Sequence, residues 1–224
     1  MAPRDDWEAG SFLAQLTTDE FVALTSASAR RQYRKGATLF NEGDVSDRVI
    51  ALTEGRVKIC YFTADGKEVV LAIRGPGDLV GELSAIDGQR LSATVTSLEP
   101  VSGFVMTSSV FTSFLSKTPR VALLLLQSVT GKLRDADRKR IEFSESDSVG
   151  RVAKRLVELA ERFGTGESGS IDITLSQEEL GGWTGASREA VSKALQSLRG
   201  RGWIETSRRA ITIKDIDALK KRAT

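Results

Sequence analysis

The hydrophobic pattern of this 224-residue chain changes at Thr118-Pro119, and the change predicts two kinds of secondary structure. From residue 30 to about 116, short β-rich runs alternate with turn signals such as Gly75-Pro76-Gly77-Asp78. The runs lie at 38–40, 48–52, 57–62, 68–73, 93–97 and 101–106. Strands at such spacing favour an antiparallel sandwich or roll. Threonine at an N-cap followed by proline at the first helical position then predicts a long helix, which makes the fold α+β.

Apolar residues recur along the long helix at spacings of four and three, as in a coiled-coil seam. The seam consists of Ala122, Leu126, Val129, Leu133, Ala136, Arg140 and Phe143, and it is imperfect only at the charged residue Arg140. A seam of this kind packs either on the helix's own domain or on a second copy of the chain. Because it continues for three heptads between two predicted domains, we expect a dimer contact.

The composition excludes several classes of protein. The chain contains no histidine, which removes the commonest general base and the commonest metal ligand. The single cysteine, Cys60, excludes an intramolecular disulfide framework and a multi-cysteine iron–sulfur or zinc site. No apolar signal segment follows Met1, and the longest apolar run, Val121–Leu126, is too short to span a bilayer. We therefore expect a cytoplasmic protein that is not an enzyme and that holds no metal.

Two short helices are predicted between residues 176 and 200. Ser176 and Glu179 form a capping box at the start of the first helix, Gly185 occupies the turn, and Ser187 caps the second helix. The second helix has an apolar stripe, made up of Val191, Ala194, Leu195 and Leu198. A separate polar face, near its N-terminus, carries Arg188, Glu189, Ser192 and Lys193. A recognition helix needs this division, because its first turns enter the major groove while the stripe holds it to its scaffold.

The residues after the second helix favour nucleic-acid binding over an ordinary helical hairpin, which is the alternative interpretation. Residues 203–206 and 210–213 predict a β-hairpin whose tip carries Ser207-Arg208-Arg209. A basic tip beside the second helix would place cations on the flanking phosphates. Residues 150–224 hold 14 Lys and Arg against 10 Asp and Glu, which is consistent with a surface that faces phosphate. We therefore predict DNA contacts at Ser176, Ser187, Arg188, Glu189, Ser192, Lys193, Arg208 and Arg209.

Several motifs are similar to those of the cyclic-AMP receptor protein family, which includes the fumarate–nitrate reductase regulators (CRP/FNR). These motifs are Gly36–Asp44 with Asp47, Leu52, Gly55, Val57 and Lys58, then Gly81-Glu82-Leu83-Ser84, Gly150-Arg151-Val152-Ala153 and Gly185–Val191. The resemblance covers nearly the whole chain and is closest to actinobacterial members. It implies a cyclic-nucleotide-binding-like effector domain (a jelly roll) at 1–116, a dimerisation helix at 117–145 and a winged helix-turn-helix DNA-binding domain at 146–224.

The resemblance also implies an effector site that departs from the family pattern. Glu82 would hold the ribose 2′-hydroxyl and Ser92 would supply a hydroxyl, but the position of the phosphate-binding arginine is Leu91. The residues that touch the purine fall at Ala136 and Asp137, which lack the family's paired hydroxyls. The candidate effector-binding residues are Gly81, Glu82, Leu83, Arg90, Leu91, Ser92, Ala93, Ala136 and Asp137.

The missing arginine leaves three interpretations of this site open. They are an altered nucleotide site, a site for a different small molecule, and a pocket filled by side chains. Arg90 is adjacent to Leu91, but neighbouring side chains of an extended chain point to opposite faces, so Arg90 replaces the arginine only if a bulge turns it inward. We expect a weak or absent response to cyclic AMP, with a cyclic nucleotide as the candidate ligand and no other cofactor.

The leading functional hypothesis is a transcription regulator that binds palindromic DNA as a homodimer. By resemblance, the half-sites are similar to TGTGA and RNA polymerase is a partner. The second hypothesis is a nucleotide-sensing subunit that regulates an enzyme by protein contact. It shares the roll and the long helix, but it gives no reason for Arg188, Glu189 and Lys193 beside a basic wing. A catalytic function ranks third, because the chain has neither a histidine nor a phosphate-binding glycine loop.

Overall fold

The computed structural model describes residues 7–8, 10–164, 170–171, 175–207 and 210–223. The chain forms two compact units, and each is described by itself. The first unit contains Met1–Tyr61 and Leu71–Arg134, and the second contains Phe62–Val70 and Asp135–Thr224. The boundary between the units falls inside the long helix, between residues 134 and 135. The domain bounds that the resemblance implies, with a dimerisation helix at 117–145, stay a prediction.

The predicted strands are observed, and two more join them. The strands are β1 (Ala29–Tyr33), β2 (Thr38–Phe40), β3 (Arg48–Glu54), β4 (Val57–Phe62), β5 (Glu68–Arg74), β6 (Leu79–Val80), β7 (Thr94–Ser97) and β8 (Val101–Thr107). They form two four-stranded sheets, with the orders β1-β8-β3-β6 and β2-β7-β4-β5. The β3–β8, β1–β8 and β4–β7 pairs are antiparallel, as expected for a roll. The strands β1 and β6 were missed.

Helices and apolar side chains close the roll. The helices are α1 (Thr18–Ser26), α2 (Glu82–Asp87), α3 (Ser108–Lys117) and α4 (Pro119–Glu145), and a 3₁₀ turn lies at Leu13–Gln15. One cluster of buried residues includes Phe12, Phe111 and Val121, and a second lies around Phe40 and Leu91. Burial of apolar surface of this kind is the main favourable contribution to folding. The first turns of α4 therefore belong to the core of the first unit.

The last part of the chain forms what we call the C-terminal head, made up of α5 to α8 and β9 to β11. Its elements are α5 (Ser148–Phe163), β9 (Ser170–Ile171), α6 (Gln177–Thr184), α7 (Arg188–Gly200), β10 (Ile204–Ser207), β11 (Ala210–Ile213) and α8 (Ile216–Arg222). The three strands pair in the order β10-β11-β9. Helix α5 buries one face, which includes Val152, Leu156 and Leu159, as its amphipathic pattern requires.

Asp147 connects α5 and α8, the first and last helices of the head. Its carboxylate is the N-cap of α5 and accepts a hydrogen bond of 2.8 Å from the Gly150 amide. The Arg222 guanidinium, at the end of α8, lies 2.5 Å from the same carboxylate. Two hydrogen bonds lower the pKa of the Asp147 carboxyl below its usual value, and the one from the Gly150 amide has a larger effect than the one from Arg222. The cap and the ion pair therefore favour the ionised carboxylate.

Candidate nucleic-acid interface

The capping residues predicted at 176 and 187 are confirmed. The Ser176 hydroxyl accepts from the Glu179 amide at 3.1 Å, and the Glu179 carboxylate accepts from the Ser176 amide at 2.8 Å. The Ser187 hydroxyl accepts from the Ala190 amide at 3.2 Å. Each hydroxyl satisfies a backbone donor that has no partner within its helix. The two caps therefore define where α6 and α7 begin.

A tight turn joins α6 to α7, and its shape requires glycine. Gly185 ends α6 with a φ of +62°, in the left-handed region that glycine enters without strain. A Cβ at Gly181 would lie 2.7 Å from the Ala186 carbonyl oxygen, and a Cβ at Gly182 would lie 2.6 Å from that of Glu68. Close approach of backbone therefore explains this glycine pair in the middle of a helix, where glycine is otherwise unfavourable.

Helix α7 presents one buried face and one exposed polar face. The buried residues are Val191, Ala194, Leu195 and Leu198. Arg188, Glu189 and Lys193 are exposed, and Ser192 is half-buried between the two faces. The apolar side of α7 is buried against the rest of the head, so the polar side is the one that is available to a ligand. The structure brings together all four of the residues that the sequence placed on this face.

Glu189 is held in its ionised form at the start of α7. Two hydrogen bonds lower the pKa of the Glu189 carboxyl below its usual value. The one from its own amide has the larger effect, and the one from the Ser187 hydroxyl has the smaller effect. The nearby cations Arg188 and Lys193 act in the same direction. An ionised carboxylate only accepts hydrogen bonds, and the one base-edge donor of a G·C pair in the major groove is the cytosine amino group. The chemistry of this face therefore suits a base edge and not only phosphate.

The predicted wing is present beside α7. Strands β10 and β11 pair antiparallel from Ile204↔Ile213 to Ser207↔Ala210. The tip residues Arg208 and Arg209, predicted to contact phosphates, lie outside the described residues.

A groove of about 300 Å³ runs between the start of α6, helix α7 and strand β10. Its polar lining includes Ser176, Gln177, Ser192, Arg199 and Thr206. The Arg199 guanidinium lies 3.5 Å from the Thr206 hydroxyl. The sequence predictions omitted Gln177, Arg199 and Thr206. Arg199 is seven residues after Ser192 on the same helix, so helical spacing alone would have found it.

The cassette that resembles a nucleotide site begins at Gly81, which has a φ of +83°. A Cβ at this position would lie 2.7 Å from the Arg48 carbonyl oxygen, so only glycine fits. Glu82 follows as the first residue of α2, and its side chain is only 5% exposed. Its Oε1 accepts a hydrogen bond of 2.7 Å from Lys132 Nζ on α4. The carboxylate predicted to hold a ribose is thus paired with an ammonium group of the same chain.

The strip around Leu91 alternates between exposed and buried side chains. Leu91 and Ala93 are buried, whereas Arg90 and Ser92 are exposed. Leu91 packs with Phe40 and lines a recess of about 380 Å³. The Arg90 guanidinium is directed to the Gly43 carbonyl oxygen, at 2.8 Å, in an exposed setting. The structure therefore does not bring Arg90 or Ser92 to the buried side of the strip.

Three other candidate effector residues are exposed in their own units. Leu83, on α2, is 43% exposed, and it belongs to the first unit. Ala136 and Asp137 are exposed positions of α4 in the second unit. The ammonium of Lys132, which meets Glu82, was not predicted. No local signal marks an ion pair between residues 50 positions apart.

Among the described residues, no group of three or more Cys, Asp or Glu side chains is placed to hold a metal ion. In the same part of the chain, no helix is long and apolar enough to cross a membrane.

Comparison with known proteins identifies both halves of the chain. A model of the cyclic nucleotide-binding domain matches residues 30–118, and a model of the Crp-like helix-turn-helix domain matches residues 150–222. A CRP-like cAMP-activated global transcriptional regulator of Mycobacterium tuberculosis is 36% identical over 204 residues, which cover 90% of this chain and 91% of that protein. The cyclic AMP receptor protein of Thermus thermophilus is 28% identical over 208 residues, covering 93% and 94%.

A solved structure shows the same fold. FixK2 from Bradyrhizobium japonicum matches with a TM-score of 0.80 at 22% identity, covering 88% of this chain and 98% of that one. The roll, the long helix and the winged head occur in the order that the sequence motifs indicated. From the family models and from the extent of the identity, the chain is a DNA-binding transcription regulator, not an enzyme, and it belongs to the cyclic-AMP receptor protein (CRP/FNR) family.

Proposed function

We propose that this regulator binds two-fold-related DNA sites as a homodimer and reads each half-site with Arg188, Glu189 and Lys193. The observation that carries the proposal is the division of α7, whose apolar side is buried while its first turns expose two cations and an ionised carboxylate. Arginine binds guanine O6 and N7 with two parallel hydrogen bonds, and glutamate accepts from cytosine N4. A surface that bound phosphate alone would have no use for Glu189.

The groove beside α7 supports the proposal by offering contacts to the DNA backbone. Ser176, Gln177 and Arg199 line it, next to the hydroxyls of the wing. Hydroxyl, amide and guanidinium groups are those that commonly bind phosphate oxygens and fix the register of a protein on the duplex. Arg208 and Arg209, which the sequence predicts to contact phosphates, would add two cations to this set.

The two faces of α4 support the homodimer. Val121 and Leu125 are buried in the core of the first unit, and Val129 packs partly against it. Leu123, Leu126 and Leu133 are respectively 55%, 60% and 62% exposed. Residues 126 and 133 are one heptad apart and residue 123 is close to the same face, so the three form an apolar stripe. We propose that the same stripe of a second copy covers it, with a two-fold axis between the helices.

Selection from randomised duplexes tests the DNA part of the proposal. We expect the purified protein to recover a symmetric site with half-sites similar to TGTGA, about 34 Å between centres. Sedimentation of the complex should show two protein chains per duplex. Recovery of sequences without symmetry, or one chain per duplex, would contradict the homodimer. Equal binding to all duplexes would contradict base reading.

We propose further that the effector pocket responds weakly or not at all to cyclic AMP. The Glu82 carboxylate is buried and already paired with Lys132, while the buried residue of the 90–92 strip is Leu91. Leu91 cannot donate a hydrogen bond to an anionic phosphate, and a phosphate that loses its hydration without such donors is costly to bury. Arg48 lines the same recess, but it is an exposed side chain that lies over the Phe40 ring. Because two relatives are named for cyclic AMP, this nucleotide is the first ligand to test.

Calorimetric titration of the purified protein with cyclic AMP tests this proposal. We expect no binding in the micromolar range and the same DNA affinity with and without the nucleotide. The same titration is carried out with the variant Lys132→Met, in which Glu82 has lost its ammonium partner. Its matched control is Arg134→Met, which removes an exposed cation of the same helix. A micromolar or tighter dissociation constant for the wild-type protein would overturn the proposal.

We propose that the regulator acts in the cytoplasm and that it contacts RNA polymerase. In vitro transcription from a promoter that carries the selected site, with the site placed at several distances, tests this contact. A stimulation of transcription that depends on this distance supports the contact with polymerase. If transcription by purified polymerases of every origin is changed equally, the protein simply occludes the promoter.

A further inference from the structure

The groove beside α7 continues the reading face toward the end of the helix. Ser192, Gln196 and Arg199 line its α7 side, at spacings of four and three residues that place them in one row on the helix. Thr206 and Ser207 of β10 line the side formed by the wing. Since the row begins at Ser192, which belongs to the predicted reading face, the groove and that face form one continuous surface of the head.

The charge of the groove suits an anion. Among the described residues that line it, Arg199 carries the only charge, and the polar groups around it are hydroxyls and amides. Two neighbouring cations have other contacts: Lys214 Nζ lies 3.0 Å from the Glu205 carboxylate, and the Arg201 guanidinium covers the Trp203 ring, with 5.2 Å from its Cζ to the ring centroid. One guanidinium beside hydroxyl and amide groups is the usual setting for a single phosphate group.

Thr206 orients the guanidinium of Arg199. The Arg199 Nη1 donates to the Thr206 hydroxyl oxygen at 3.5 Å, which links the end of α7 to the wing. Thr206 is itself held in place, because it pairs with Ile211 in the β10–β11 ladder. A guanidinium has five N–H donors, so one bond to a hydroxyl leaves donors for two oxygens of a phosphodiester. An orienting contact also reduces the entropy that a long exposed side chain loses on binding.

The length of α7 places this groove at the DNA backbone when the first turns of the helix read bases. The helix has 13 residues and is therefore about 20 Å long. The major groove of B-DNA is about 12 Å wide, and a recognition helix contacts base edges with its N-terminal residues. The last turn of α7, which contains Arg199, therefore lies where a sugar–phosphate chain borders the major groove.

We infer that Arg199 is a phosphate-binding residue, which holds one phosphodiester at the edge of each half-site, and that Thr206 is the positioning residue that orients it. The inference rests on the proposed binding of DNA by α7, and it names the group that the groove takes. It concerns one head by itself and does not require the homodimer. A contact to phosphate fixes the register of the protein on the duplex and carries no sequence information, so the choice of bases is left to the first turns of α7.

Duplexes with one neutral linkage test the inference. In a methylphosphonate a methyl group replaces one phosphate oxygen, which removes the negative charge at a single position. The linkage is moved along each strand of the selected site, and the affinity of the wild-type protein and of Arg199→Met is measured for every duplex. We expect one linkage at the edge of each half-site to weaken the wild type by about tenfold and to leave the affinity of Arg199→Met unchanged. The other linkages should affect both proteins equally.

The salt dependence of binding is a readout that a purely structural role of Arg199 would not change. Each phosphate contact contributes about 0.9 to the slope of log K against log salt concentration. Arg199→Met should lower the slope by this amount per head, so its loss of affinity between 50 and 200 mM salt should be smaller by about 3.5-fold per head. Its preference among duplexes with single-base changes should equal that of the wild type.

Three further variants separate the phosphate contact from general charge and from orientation. Arg201→Met is the matched control, since this cation lies two residues after Arg199 and covers Trp203. It should keep the wild-type slope and the wild-type response to the neutral linkages. Thr206→Val should reduce the response to the edge linkage, and Thr206→Ser, which retains the hydroxyl, should restore it.

The outcomes distinguish this inference from the proposed function. A wild-type protein that binds all duplexes equally contradicts base reading by α7. A sequence-specific wild type that responds to every linkage as Arg199→Met does overturns the inference alone, and so does an equal reduction of the slope by Arg201→Met. Should Arg199→Met fail to fold by circular dichroism, Arg199→Gln decides the question by the same comparison of linkages.

Discussion

Replacement of Leu126 by alanine should weaken the proposed homodimer without unfolding the protomer. The side chain lies on the exposed stripe of α4 and is 60% exposed in the single chain. Leu125, the preceding residue, is 4% exposed and belongs to the core of the first unit. These neighbours on one helix therefore allow the dimer contact and the protomer core to be tested separately.

The expected loss in the free energy of dimerisation follows from the exposed fraction of Leu126. Burying a whole leucine side chain contributes about 2 kcal/mol, so covering the exposed 60% of Leu126 contributes about 1.2 kcal/mol per copy. A symmetric interface contains two copies, which makes about 2.4 kcal/mol, or about 50-fold in the dissociation constant of the dimer. The variant Leu125→Ala should instead lower the free energy of unfolding by about 2–5 kcal/mol, because it leaves a cavity in the core.

Analytical ultracentrifugation over a range of concentrations measures the dimer constant, and urea unfolding followed by circular dichroism measures stability. Asp135→Ala, an exposed substitution on the side of α4 opposite Leu126, is the control and should alter neither quantity by much. The reasoning is refuted if Leu126→Ala leaves the dimer constant unchanged while Leu125→Ala destabilises the protein as expected. Such a result would show that another surface joins the two copies.

Three further predictions concern the head. Arg188→Ala should cost roughly 1–3 kcal/mol of binding to the selected site and relax discrimination at one base pair, as competition with single-base variants measures; equal weakening for every sequence would contradict base reading. The pKa of the Glu189 carboxyl is lowered in the folded protein, so the base preference that depends on Glu189 should be constant as the pH falls from 8 to 5. It should decline only below the usual pKa of 4.5. A loss of base preference near pH 6 in the binding assay would show that this carboxylate does not determine it. Asp147→Ala should lower the free energy of unfolding by about 1 kcal/mol through the lost helix cap. Because the pKa of Asp147 is also lowered, its contribution is present above the usual 3.8 and is lost as the pH falls through the lower folded value, so the wild type and the variant should converge in stability in strong acid.

The features predicted from sequence are mostly local ones. The capping hydroxyls of Ser176 and Ser187, the left-handed Gly185 and the pairing of the wing strands depend on residues within a few positions of one another. Short strands such as β6, with only Leu79–Val80, carry too little pattern to be recognised. Arg199 was omitted although its helical spacing from Ser192 was visible.

Contacts between distant residues could not be predicted in this way. The pair of Lys132 and Glu82 joins helices that are separated in the chain by β7, β8 and α3, and nothing near either residue specifies the other. Phe143 fits the heptad pattern of the seam, and its ring also lies on Gly185, 42 positions later in the chain, while 51% of the residue is exposed. Periodicity states which side of a helix is apolar, but it does not state what covers each apolar residue.

The sequence by itself determined the order of roll, long helix and winged head, and it determined which side chains face outward on the reading helix. These properties follow from strand alternation, helical spacing and capping, which act over short distances. Only the tertiary structure decided that α4 ends inside the head, that Lys132 meets the cassette carboxylate and that Leu91 is buried while Arg90 is exposed. The physical reason is that these contacts arise when separate elements pack together, and their energies depend on partners that no local pattern records.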